Sequence, residues 1–199
     1  MKWLIKNSAI GLALGFIWIL GSIALLYFAG SFHLGTTNEV PYIPIWFFAV
    51  LLNAAMQEYL VRGYLFSLFR EKYNVIVATA ITTVLFTLMH AGAFAAGFIA
   101  ILNVITMSVF VTLLLIYTQS LLAPVLVHFI WNSVGCLIFG VVSLSDDYPN
   151  ILNSVLTGSD LLSGGTAKIE GSIVVSIVNA ILILFMVFLL NKNKNSIRA

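Results

Sequence analysis

Six apolar runs, each close to the length that crosses a bilayer, leave this chain few alternatives to a bundle of membrane helices. They are Ile10 to Phe28, Ile43 to Phe69, Val75 to His90, Phe98 to Tyr117, a run with Pro124 in its first turn that ends near Val142, and Ile173 to Leu190. About 20 residues suffice to span roughly 30 Å of hydrocarbon. Inside that layer a segment must satisfy its own backbone hydrogen bonds, and a helix does so. Composition points the same way: 61% of residues are hydrophobic and 8% charged, where a soluble domain has roughly 45–50% and about 25%. The expected fold is an all-α polytopic membrane protein of about six transmembrane helices, a single domain over residues 1–199. One cysteine, Cys136, lies in an apolar segment, which excludes an intramolecular disulfide and a thiolate metal cluster. No basic patch with interleaved aromatics marks a nucleic-acid partner. The partner that composition does imply is the lipid bilayer.

The connections set the topology. Lys2 and Lys6 precede the first run. That run is longer than a signal-peptide core and lacks a small-x-small cleavage site after it, so it reads as an uncleaved helix. Gly11 and Gly15 give it a GxxxG spacing, read as a packing face. Ser31 to Pro44 is a polar connection, Arg70 to Asn74 a charged turn, and Ala91-Gly92-Ala93 a break after the third helix. Ser143 to Ser172 is the one long polar segment, either a mobile loop or a partly ordered re-entrant piece. Six crossings put both termini on one side, with Lys2, Lys6, Arg70, Lys72, Lys192, Lys194 and Arg198. Lys168 falls on the other side with Glu39, Asp146, Asp147, Asp160 and Glu170. By the positive-inside rule both termini are cytoplasmic. Usage rich in Ile, Asn and Lys suits a low-GC bacterium, hence a bacterial plasma membrane.

Once the connections are set aside, the ionisable groups left in the apolar runs are Glu58, Arg62, His90 and His128. An acid or arginine at a helix centre costs about 2.5–3.5 kcal/mol on insertion scales. Glu58 and Arg62 are spaced i, i+4 with the acid first, the favourable order for a pair. That pair can be simple neutralisation. Gln57 projects about 100° away from Glu58 and addresses a different neighbour, by default an interhelical hydrogen bond. Phe86 and His90, and likewise His128 and Asn132, are each one turn apart. Polar sites on three helices suggest a convergent pocket, the way bundles build active sites. A histidine with a carboxylate can deprotonate water, and a histidine with an asparagine can stabilise an oxyanion. Together they suit hydrolysis of an amide. Two histidines and a carboxylate, here Glu58, His90 and His128, would also satisfy a catalytic zinc.

Gln57-Glu58-Tyr59-Leu60-Val61-Arg62, then Phe86-Thr87-Leu88-Met89-His90, then His128-Phe129-Ile130-Trp131-Asn132 resemble the successive motifs of the CAAX protease and bacteriocin-processing (CPBP, Abi) family of intramembrane endopeptidases. That family reads Glu-Glu-x-x-x-Arg, Phe-x-x-x-His and His-x-x-x-Asn/Asp. The resemblance covers residues 44–132, and Arg62-Gly63-Tyr64-Leu65 and the Ser120 to Pro124 stretch fit its flanks. It implies a metal-independent mechanism without a cofactor. The first glutamate and the His90 position would activate water, His128 and Asn132 would hold the oxyanion, and Arg62 would orient the acidic pair. The implied substrate is a peptide or membrane-protein tail. At the first glutamate this chain has Gln57, a carboxamide without useful basicity, and loss of a general base typically costs about 10²–10⁴ in rate. Three readings stand: Glu58 takes over the role, His90 alone activates water, or the chain is a pseudoprotease that acts as a membrane scaffold or bacteriocin self-immunity binder. A small transporter is a weaker reading, since no internal repeat is present. Depth adds a tension. Gln57 and His128 fall near mid-membrane, whereas His90 falls near the end of its run.

Overall fold

The structure is a computed structural model that describes residues 1–145 and 147–198, with side chains described through Asn193. Asp146 and the side chains of Lys194 and Arg198, which entered the charge count above, lie outside the described residues. Helix α1 is Lys2–Phe28, α2 is Ile43–Lys72, α3 is Val75–Leu88, α4 is Ala91–Ala96 and α5 is Phe98–Thr118. Helix α6 is Leu122–Ile138, α7 is Asp160–Ser163 and α8 is Ile173–Arg198. A 3₁₀ turn, Gly165–Gly171, precedes α8. Two short strands, β1 at Phe32–His33 and β2 at Val155–Leu156, pair antiparallel. The protein is an all-α polytopic membrane protein: α1, α2, α5 and α8 are long and apolar enough to cross a bilayer, and α3 and α6 are shorter apolar helices.

Several boundaries move from their sequence positions. Helix α1 starts at Lys2 rather than Ile10, because nothing in Trp3 to Ala9 breaks a helix. The expected charged turn at Arg70 is the last turn of α2, and only Tyr73 and Asn74 separate it from α3. Asn74 caps α3 by accepting from the Val77 amide at 3.0 Å, a role that asparagine fills well. The expected break at Ala91 is a short helix, and α6 ends at Ile138 rather than Val142. Helix α8 runs on past Leu190.

Helix α6 is the centre of the bundle, with α1, α2 and α5 packed on it. The glycine pair of α1 is indeed a packing face. A Cβ on Gly11 would sit 2.8 Å from the Ala123 carbonyl oxygen, and one on Gly15 would sit 2.8 Å from Ile130 Cβ. That close approach lets Trp18 stack on Trp131 with centroids 3.9 Å apart. The Trp18 indole donates to Asn179 Oδ1 at 2.7 Å, and Asn179 donates to Thr106 Oγ1 at 2.8 Å. One buried amide thereby ties α8 to both α1 and α5.

The described residues of the long polar segment are held by specific contacts. Phe32 pairs with Leu156 and His33 with Val155. Asn38 donates to the Asn150 carbonyl and to Asn153 Oδ1. The turn at 165–171 is pinned by Ile169, fully buried, whose amide donates to Val141 O at 3.1 Å. The segment therefore forms a cap over the end of the bundle opposite the termini.

Candidate functional site

Glu58 is the last residue before α2 widens into a π-helical stretch at Tyr59–Leu65. Such wide turns recur at functional sites. Its side chain is fully buried, and one oxygen, Oε1, accepts two bonds: from Arg62 Nη1 at 2.9 Å and from His128 Nδ1 at 2.8 Å. The expected i, i+4 pair is present, and it extends to a histidine on α6. Arg62 reaches further. Its Nη2 donates to Ser108 Oγ at 3.0 Å and to the Ser108 carbonyl at 3.2 Å. Its guanidinium lies 4.3 Å from the centroid of Phe86. One arginine thus links α2, α3 and α5 and pairs with the buried acid, as a charge in this setting requires, while Glu58 Oε2 and Arg62 Nε are left without a partner within the protein.

These contacts set the histidine tautomers. A carboxylate only accepts, so His128 carries its proton on Nδ1 toward Glu58. A backbone carbonyl likewise only accepts, so His90 Nδ1 donates to Phe86 O at 2.8 Å. Each imidazole keeps Nε2 for other chemistry. Phe86 sits between them, 4.3 Å from the His90 ring and 6.0 Å from that of His128.

Gln57, His90, His128 and Asn132 line one cavity of about 880 Å³. The tension over depth dissolves in the length of α3. Fourteen residues rise about 21 Å, less than the roughly 30 Å of a full crossing, and His90 lines the same cavity as Gln57 and His128. Gln57 does not make the expected interhelical bond. Its Nε2 donates to Asn53 Oδ1, one turn back, at 2.8 Å, and its Oε1 is buried with no partner within the protein. Glu58, expected in the pocket, lies behind its wall: it is absent from the lining and reaches the cavity only through His128. The conditional zinc set of Glu58, His90 and His128 is not assembled. Among the described residues no three His, Cys, Asp or Glu side chains converge on a metal position.

The remaining wall was not legible in the sequence. Part of it comes from Met89, the short helix α4 and the facing side of α5, and part from the polar cap, through Ser143, Leu144, Tyr148, Thr166, Ala167 and Glu170. Glu170, counted above among the far-side charges, lines the cavity, and Trp131 Nε1 donates to its Oε1 at 3.5 Å. The one available signal was its place three residues before an apolar helix, which gave no reason to separate it from Asp160.

Residues 39–134 match the family model described as type II CAAX prenyl endopeptidase Rce1-like. No curated protein and no solved structure matches the chain. The matched stretch contains all three motifs and ends before the cap that completes the cavity.

Proposed function

We propose that this chain, which belongs through residues 39–134 to the Rce1-like family of type II CAAX prenyl endopeptidases, hydrolyses a peptide bond in a peptide or membrane-protein tail within a cellular membrane. The observation that carries the reading is the convergence of His90, His128 and Asn132 on one cavity inside a membrane bundle. His90, with Nε2 available, takes part in activating water. His128, its ring fixed by the Nδ1–H bond to Glu58, stands with the Asn132 amide on the cavity wall, where the two would flank the oxyanion of the tetrahedral intermediate. Glu58 is a positioning residue, and Arg62 holds it in place through the 2.9 Å pair. An apolar groove of about 800 Å³ between α3 and α5, reaching from Val75 to Phe94, suits a substrate that carries a hydrocarbon tail. The charge distribution supports cytoplasmic termini, and the residue usage supports a bacterial plasma membrane.

The test is cleavage of an internally quenched peptide ending in a farnesylated CAAX tail by the full-length protein in nanodiscs. His90→Ala and His128→Ala should each reduce turnover at least about 100-fold, and a chelator should leave it unchanged. Full activity in His90→Ala would overturn the catalytic assignment.

One observation favours a second reading. Gln57 stands on the cavity wall where the family motif has glutamate, and its amide is engaged with Asn53. A non-cutting scaffold or bacteriocin-immunity binder would keep the cavity and lose only the base. Such a protein would keep its biological effect in His90→Ala, which an enzyme would not.

A further inference from the structure

Among the described acidic side chains, Glu39, Glu71, Asp147 and Asp160 are exposed. Glu58 and Glu170 are not. Glu58 pairs through Oε1 with Arg62 and His128, and the residue, fully buried, does not line the cavity. Glu170 therefore is the carboxylate among them that faces the same space as Gln57, His90, His128 and Asn132.

Its backbone is held as a site residue's would be. Asn103 Nδ2 donates to the Glu170 carbonyl at 2.8 Å and to the Ser172 carbonyl at 2.9 Å. Ser176 Oγ in turn donates to Asn103 Oδ1 at 2.6 Å. The turn is tight: a Cβ on Gly171 would fall 2.2 Å from the Gly164 carbonyl oxygen. Lys168, two residues before Glu170, adopts φ 51° and ψ −142°, a conformation that costs of order 1–3 kcal/mol for a non-glycine residue. The Asn103 clamp and the strained turn fix the backbone of Glu170 at the cavity wall, and Trp131 Nε1 holds its carboxylate there at 3.5 Å.

We infer that Glu170 is the general base of this enzyme, delivered by the polar cap to the cavity in which Gln57 has replaced the motif's carboxylate. This rests on the endopeptidase reading above. Glu170 takes a proton from the water as the water oxygen bonds to the scissile carbonyl carbon. The carbonyl electron pair moves onto oxygen, between His128 and Asn132. Collapse re-forms the carbonyl and breaks the C–N bond, and the proton on Glu170 passes to the leaving amine. The products are a carboxylic acid and an amine, and no further reactant is required. The base has in effect moved from α2 to a segment outside the motif-bearing stretch, which leaves Gln57 to orient the water or the substrate.

The experiment is a cycle on the full-length protein in nanodiscs with the quenched farnesylated peptide: wild type, Glu170→Gln, Gln57→Glu and the double variant. Glu170→Gln should lower kcat about 100-fold or more with little change in KM. Gln57→Glu in that background should restore at least about tenfold, because it returns a carboxylate to the same cavity. A structural role for Glu170 would not be rescued from α2. Should Glu170→Gln not purify folded, Glu170→Asp carries the test, with kcat lowered about tenfold and rescued in the same way. Wild-type turnover in Glu170→Gln, or a double variant no better than the single, overturns the assignment. An inactive wild type whose Gln57→Glu variant cuts also overturns it, yet keeps the cavity as a protease site. Both inactive overturns the endopeptidase reading itself.

Discussion

Replacing Arg62 with methionine should show how much of this fold rests on one buried charge pair. Glu58 is fully buried and Arg62 is 1% exposed. Removal of one partner leaves the other charge uncompensated, a loss of about 3–5 kcal/mol. The variant also gives up two hydrogen bonds to Ser108, about 0.6 kcal/mol each within a membrane. The contact with Phe86 adds about 1–2 kcal/mol when desolvated. These contributions overlap, so the expected drop is about 4–6 kcal/mol, a large part of a typical 5–15 kcal/mol stability. Adding Glu58→Gln removes the orphaned charge and should recover most of the loss, since a buried pair exchanged for neutral groups is often close to neutral in stability. Turnover should not recover with it, because His128 has lost the carboxylate that fixes its ring. Equilibrium unfolding in mixed dodecylsulfate and dodecylmaltoside micelles, followed by tryptophan fluorescence, measures the first effect, and peptide cleavage the second. Stability of Arg62→Met within about 1 kcal/mol of wild type, or strict additivity of the two substitutions, would refute the reasoning.

Two further outcomes follow from the packing. Gly11→Ala should destabilise by about 1–3 kcal/mol, because its Cβ would meet the backbone of Ala123 at 2.8–2.9 Å. Gly21→Ala, with nothing within 4 Å, should be neutral or stabilising by up to about 1 kcal/mol, and thermal unfolding of the two variants separates them. Asn103→Ala should release the turn that carries Glu170: amide exchange over 164–172 should speed up, with turnover falling while α1 and α6 keep their protection. Unchanged exchange across that turn would show that Asn103 does not hold it.

Much of the bundle was legible because its information is local. The length and apolarity of each run indicate a helix without knowledge of its neighbours, and the i, i+4 spacing of Glu58 and Arg62 predicts their contact from helical geometry alone. The glycine spacing in α1 marked a close-packed face in the same way. Boundaries failed where a charged segment such as Arg70 to Lys72 kept a helical backbone, since charge at a helix end does not break a helix. Gln57 was harder. Its projection away from Glu58 followed from the helix, but Asn53 as its partner could not be chosen over an interhelical one.

What the sequence alone determined is therefore an α-helical membrane protein, with the Glu58–Arg62 and Phe86–His90 contacts inside its helices. Tertiary structure decided which motifs meet and which acid faces the cavity. Glu58 and His128, seventy positions apart, share a bond because α2 packs on α6, and His90 joins them because α3 is short. Glu170 arrives by a route that no periodicity encodes: a polar segment folded onto the bundle by Asn103, Ile169 and a two-residue strand pair. Helical order repeats along the chain and can be read from it. The closure of a loop over a cavity depends on contacts between residues far apart, and only the folded chain brings those together.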